Sequence, residues 1–169
     1  MGAFSRRKGI RTELNLVHYL RSIGMTANRV PLSGASGTLH NKEEYKHDVV
    51  TQYNGRTLTF EVKCRKVGFA SIVNFLTARG SPNGVLRFNL HGECVELTQD
   101  LNAVMPSEPE EALDVHFPTA GTPAMPMSLR EWRVAYKILK MRELKKTSDF
   151  LVLKSDRTPM IFVRYYGKD

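Results

Sequence analysis

Residues 47–63, HDVVTQYNGRTLTFEVK, contain the feature that most constrains this chain: Asn54-Gly55 between two runs of alternating polarity. A two-residue type I′ turn needs positive φ at both central positions, and Asn-Gly meets that demand with little strain. With these residues at the turn, Tyr53 pairs with Arg56 and the register of the whole hairpin is set. Asp48 then lies directly opposite Glu61, and Lys63 projects from the same face as Glu61. Leu58, Phe60 and Val62 point to the other face, so one side packs on a helix while the other meets a polar cleft. Like charges directly opposite one another destabilise a sheet. A divalent cation between the two carboxylates is a physical reason to keep them there, although alternating Glu and Lys also fits a plain solvated face.

The surrounding pattern is of mixed type. A helix is expected over 7–22, stopped by Gly24, with Ile10, Leu14, Val17 and Leu20 as its buried stripe and Leu16 and Ile23 widening it. Glu13 falls at the margin of that stripe, where a carboxylate can lean over a sheet, but a surface glutamate reads the same way. A strand over 26–32 carries Arg29, and the Gly- and Ser-rich stretch 33–45 reads as a loop leading into Asp48. A short helix over 70–79 and a second hairpin, 85–90 with 93–98 around His91-Gly92, come next. Five prolines in 102–127 mark an irregular excursion.

Ser128-Leu-Arg-Glu131 is a capping box opening a helix to about residue 146, with Trp132, Ala135, Tyr136 and Leu139 as its core stripe. Val134, Ile138 and Met141 form a second apolar row suited to core or to a dimer surface. A closing hairpin joins 150–153 to 160–165. The chain therefore divides into a core segment 1–66, an acidic, Pro-rich elaboration 67–127, and a basic helix with a hairpin over 128–169 that completes the same domain.

Charge follows these divisions. Residues 1–66 carry 12 Lys and Arg against 5 Asp and Glu, 67–127 carry 2 against 7, and 128–169 carry 11 against 5. Two basic segments around an acidic one point to a polyanion-facing surface, nucleic acid first. Cys64 and Cys94 form no CxxC pair and no zinc-ligand spacing, so they read as reduced packing residues in a cytosolic, cytoplasmic protein. No apolar run approaches the roughly 20 residues of a membrane span, and the N-terminus lacks a secretory h-region. His47 adjoins Asp48 but points to the opposite strand face, which argues against a ligand role.

The order of Glu13 on a helix, a strand, a loop, Asp48, a turn and Glu61-Val62-Lys63 resembles the PD-(D/E)XK nuclease superfamily, and within it the archaeal-type Holliday junction resolvases. The matching stretches are RRKGIRTE with Glu13, NRVPLSG with Arg29 and Ser33, HDVV with Asp48, and FEVK with Glu61 and Lys63, over about residues 6–66. The resemblance implies an α/β fold with a restriction-endonuclease-like core: a mixed central β-sheet flanked by helices, here with an extra C-terminal helix and hairpin. It implies that Asp48, Glu61 and the Val62 carbonyl hold Mg²⁺, with Mn²⁺ as a substitute, while Glu13 binds a water or a second ion. Lys63 would orient the attacking water, and Ser33 would touch the phosphate from a loop. Arg6, Arg7, Lys8, Arg11, Arg29, Arg65 and Lys66 would track DNA phosphates. A homodimer making paired nicks in branched DNA, and leaving 5′-phosphate and 3′-hydroxyl ends, is the implied activity. Flaps, nicks or ordinary duplex are alternative substrates, and a non-catalytic nucleic-acid-binding module is a third reading.

Overall fold

The computed structural model describes residues 3–30, 47–105 and 127–168. Ser33, the loop expected over 33–45 and most of the Pro-rich stretch lie outside the described residues. The elements in chain order are α1 (Ala3–Ser22), β1 (Thr26–Arg29), β2 (Val49–Tyr53), β3 (Arg56–Arg65), α2 (Ala70–Arg79), β4 (Val85–Leu90), β5 (Glu93–Thr98), α3 (Leu129–Lys140), β6 (Phe150–Ser155) and β7 (Ile161–Lys168). Short 3₁₀ turns follow β5 at Leu101–Val104 and α3 at Met141–Lys145. No described helix is long and apolar enough to cross a membrane.

Local chemistry explains the hairpins. Asn54 and Gly55 sit at φ 49° and 77°, and Tyr53 pairs with Arg56. His91 and Gly92 adopt φ 54° and 82° between β4 and β5, the same turn solution with a less usual first residue. Ser128 and Glu131 close the capping box that opens α3.

All seven strands form one mixed sheet in the order β1-β2-β3-β6-β7-β5-β4. This is the mixed α/β architecture of a restriction-endonuclease-like core. The C-terminal hairpin is not an appendage, however: β6 runs parallel to β3, with Glu61 beside Leu151 and Lys63 beside Leu153. Strand alternation then splits the core in two. Leu58, Phe60, Val62, Phe150, Val152 and Phe162 pack against Leu16, Val17 and Leu20 of α1. Leu151, Leu153, Ile161 and Val163 face the opposite layer, where α2 gives Ile72, Phe75 and Leu76, and α3 gives Ala135, Ile138 and Leu139.

Two helical stripes are rotated from expectation. Leu14 is 42% exposed, whereas Leu16, Val17 and Leu20 are buried, which turns Glu13 toward the sheet rather than along its margin. Tyr136 is 46% exposed, while Ile138 and Met141 of the second apolar row are core. Three-residue and four-residue spacings leave two overlapping stripes on each helix, and the tertiary partner selects one.

Arg79 Nη2 donates to Glu131 Oε1 at 2.7 Å, joining α2 to the cap of α3. The Arg79 guanidinium, followed by the Ser128 N–H, lowers the Glu131 carboxyl from an ordinary 4.5 to about 2. A depressed folded-state value contributes stability that is present above the unfolded value and lost as pH falls through the folded one. The pair is partly buried at the surface, where solvent still screens it, so its effect is modest. Melting curves of Glu131→Gln against wild type between pH 4.5 and 2 should therefore show a shallower acid-side decline in the variant. Parallel curves would remove this pair from the acid response.

Candidate active site

The hairpin ladder ends at Val49 and Phe60, one step before Asp48 would face Glu61. The expected register holds along the ladder, and the correction is confined to Asp48, which does not pair with Glu61. The Asp48 N–H donates to the Phe60 carbonyl at 3.1 Å, and the Asp48 carbonyl accepts from the Val30 N–H at 2.9 Å. The Asp48 carboxylate turns along β3, where Oδ2 accepts from the Val62 N–H at 2.9 Å. Two carboxylates are thus spared a head-on cross-strand pairing, which a sheet disfavours, yet Asp48 stays attached to the strand that bears Glu61 and Lys63.

Glu61 is 2% exposed, whereas Thr57 on the same strand face is exposed and Thr59 and Lys63 are half-buried, so Glu61 alone is covered on that polar face. One carboxylate oxygen, Oε1, lies 3.5 Å from Lys63 Nζ and 3.3 Å from Lys146 Nζ. The other, Oε2, is buried without a hydrogen-bond partner among the described residues. Burial pushes the Glu61 carboxyl above its ordinary range and the Asp48 charge adds to this, while Lys146 and Lys63 pull it down. Glu13 reaches the same neighbourhood from α1. Its Oε1 accepts from Arg29 Nε at 2.8 Å. Burial raises its carboxyl, the Asp48 charge raises it further, Arg29 opposes both, and the Glu61 charge adds a smaller upward push. Glu13, Asp48 and Glu61 therefore share one electrostatic field.

Each acid has its own partner, and among the described residues no group of three or more His, Cys, Asp and Glu is gathered as a ready-made metal cage. Magnesium does not need one, because it is held by one or two carboxylates and keeps several waters. A buried carboxylate oxygen without a partner among the described residues, together with hard oxygen donors, fits a small dication, and the two ammonium groups drawn to Glu61 show that this carboxylate attracts positive charge.

The expected phosphate contacts fall into two groups. Arg6, Arg7, Arg11, Arg65 and Lys66 are exposed. Lys8 is ion-paired to Asp156, and Arg29 is committed to Glu13. Arg65 also lies over the Phe69 ring, and with Arg133, Tyr136, Lys137 and Lys140 it lines a groove of about 450 Å³ beside α3. A larger groove of about 700 Å³ between the His91-Gly92 turn and α3 contains none of the three acids.

Residues 4–74 match the family described as archaeal Holliday junction resolvase (Hjc). The resemblance read from the motifs is thereby found over the segment holding Glu13, Arg29, Asp48, Glu61 and Lys63, and it ends within α2. No curated protein matches the chain. Lys146 lies beyond the Hjc match, as do the two residues that brace the site from the C-terminal side. His47 Nδ1 is hydrogen-bonded to Ser148 Oγ at 2.7 Å, with both residues buried. Asp149 Oδ2 accepts from the Thr59 N–H at 2.9 Å. Sequence reasoning missed all three, since nothing in Lys-Lys-Thr-Ser-Asp at 145–149 signals a partner some 90 residues earlier.

Proposed function

We propose that this chain is a Mg²⁺-dependent, structure-selective DNA endonuclease that cuts four-way junctions. The reading is supported chiefly by the buried, half-satisfied Glu61 carboxylate, set beside Lys63 and Asp48 in the segment that matches the junction resolvase family. Asp48 and Glu61 would hold the ion, with the Val62 carbonyl as a further oxygen donor and Glu13 binding a water or a second ion. The ion, when bound, supplies positive charge at the phosphate and acidifies water. Lys63, a compact ammonium on a rigid strand, places the attacking water and offsets charge growing on the phosphate oxygens. Arg29 holds Glu13 in orientation through Nε and keeps its proposed place among the phosphate contacts. In-line attack by water leaves a 5′-phosphate and a 3′-hydroxyl. Ser33 keeps its proposed place at the phosphate, and two copies of the chain would cut opposite strands of the branch.

The substrate test is cleavage of labelled four-way junction, fork, flap and linear duplex, with Mg²⁺, with Mn²⁺ and with chelator. Paired nicks in the junction alone, abolished by chelator, are expected. Equal cutting of duplex would move the chain to the general-nuclease reading, and DNA binding with no cutting would leave the binding-module reading.

The exposed Arg133 and Lys140 belong to the basic groove that Arg65 shares, one strand alternation beyond Lys63. If DNA phosphates lie along this groove, Arg133→Gln with Lys140→Gln releases about two counterions fewer. The slope of log affinity against log salt should then become shallower by roughly 1.8. An unchanged slope for junction binding would take this groove out of the DNA path.

A further inference from the structure

Lys146 stands on a backbone that lysine rarely accepts. Its φ is 54° and its ψ is −125°, in the positive-φ region that a glycine occupies without strain. Strained positions of this kind persist where surrounding structure over-determines them, and they gather at functional sites. Here the over-determination is visible on both sides. The Lys146 N–H donates to the Glu143 carbonyl at 3.3 Å. Lys145 Nζ donates to the Ser148 carbonyl at 2.8 Å, Ser148 is bonded to His47, and Asp149 is bonded to Thr59 of the catalytic strand through both its backbone and its carboxylate.

The segment is thus stapled to β3, and its net result is to aim one ammonium at Glu61. Lys146 Nζ lies 3.3 Å from Glu61 Oε1, against 3.5 Å for Lys63 on the same oxygen. The two lysines differ in setting. The Lys146 side chain is 59% exposed and that of Lys63 is 35% exposed, so Lys146 reaches Glu61 from the solvent side. A polyanion approaching Glu61 meets Lys146 first.

We propose that Lys146 is a second catalytic ammonium of this site, one that secures Glu61 in the DNA-free enzyme and transfers to a phosphate of the strand being cut. The inference rests on the nuclease reading above and deepens it. Lys146 would lose its hold on Glu61 were that carboxylate to take a dication, and an incoming phosphate would give the ammonium a new partner. No bond to Lys146 is made or broken. It acts by charge and hydrogen bonding alone, and it is supplied by the half of the chain that the resolvase family match does not reach.

Lys146→Gly and Lys146→Arg separate this role from a structural one. Glycine relieves the backbone while deleting the ammonium, so the melting temperature of Lys146→Gly should be no lower than that of wild type. Its rate of junction nicking should fall by about 10²-fold, the usual loss on removing one stabilising donor. Binding in Mg²⁺ of a junction made with uncleavable linkages should show a salt slope shallower by about 0.9, one phosphate contact. Lys146→Arg, which keeps the charge, should recover most of the nicking rate.

A glycine variant that nicks and binds like wild type overturns the inference and leaves the nuclease reading standing. So does a melting temperature that falls together with the rate and is not restored by arginine, because that pattern marks a merely structural lysine. A wild-type chain that cuts no DNA overturns both.

Discussion

Glu61→Gln is expected to abolish junction cleavage and, in the same protein, to raise thermal stability in the absence of divalent ions. The activity loss follows from removing the buried carboxylate that would share the cation with Asp48. A catalytic metal supplies several kcal/mol of transition-state stabilisation, and each 1.36 kcal/mol is tenfold in rate, so a loss on the order of 10³-fold or more is expected. The stability gain has a separate cause. Burial and the Asp48 charge hold the folded-state carboxyl of Glu61 above its ordinary range. A carboxylate whose folded value is raised penalises the fold at any pH above that value, and the penalty is relieved as the group takes up a proton. The amide makes this relief permanent. It also leaves behind two ammonium groups that are partly exposed and can be hydrated in place. At this chain length each kcal/mol gained moves the melting temperature by about 2–4 °C. Scanning calorimetry in chelator and a nicking assay in Mg²⁺ check the two halves. A variant that loses both activity and stability would make Glu61 a structural ion-pair residue instead.

Phe150→Ala is expected to cost about 3–5 kcal/mol, a large part of the 5–15 kcal/mol that holds a typical domain together. Phe150 is 1% exposed, stacks on Phe60 at 5.3 Å with the rings 16° apart, and lies under the Arg164 guanidinium at 5.0 Å. Truncation empties the centre of the α1 layer at the point where β6 is fastened to β3. Urea denaturation should show a lower midpoint with an unchanged slope. The residual folded protein should also nick more slowly, because the Leu151 neighbour of Glu61 is carried by the same strand. A loss under about 1 kcal/mol would mean that the cavity collapses and that β6 is held mainly by its backbone ladder.

The parts of this molecule legible in its sequence are those governed by near-neighbour chemistry. Asn54-Gly55 set the first hairpin with the expected register from Val49 to Phe60, His91-Gly92 did the same for the second, and Ser128 with Glu131 opened α3. Glu13, Asp48, Glu61 and Lys63 were legible as a group because motif order survives even where geometry is unknown. What the sequence hid depends on distant partners. Helical spacing puts Leu14 and Tyr136 on apolar stripes that the sheet does not use. Asp48 escapes the pairing with Glu61 by bonding Val62, a choice made by electrostatics after the turn has set the register. The burial of Glu61 and the arrival of Lys146 both follow from parallel pairing of β3 with β6, which no turn residue announces.

That pairing dictates the order in which the fold can be assembled. On a ribosome, the strand bearing Glu61 and Lys63 emerges long before the stretch that must lie beside it, because α2, β4, β5 and α3 all come between β3 and β6. Closing so long a loop is slow compared with forming either local hairpin. A nascent chain therefore has its acidic motif translated while lacking the strand that Glu61 and Lys63 lie beside, and those side chains gain their final setting only once β6 has been made.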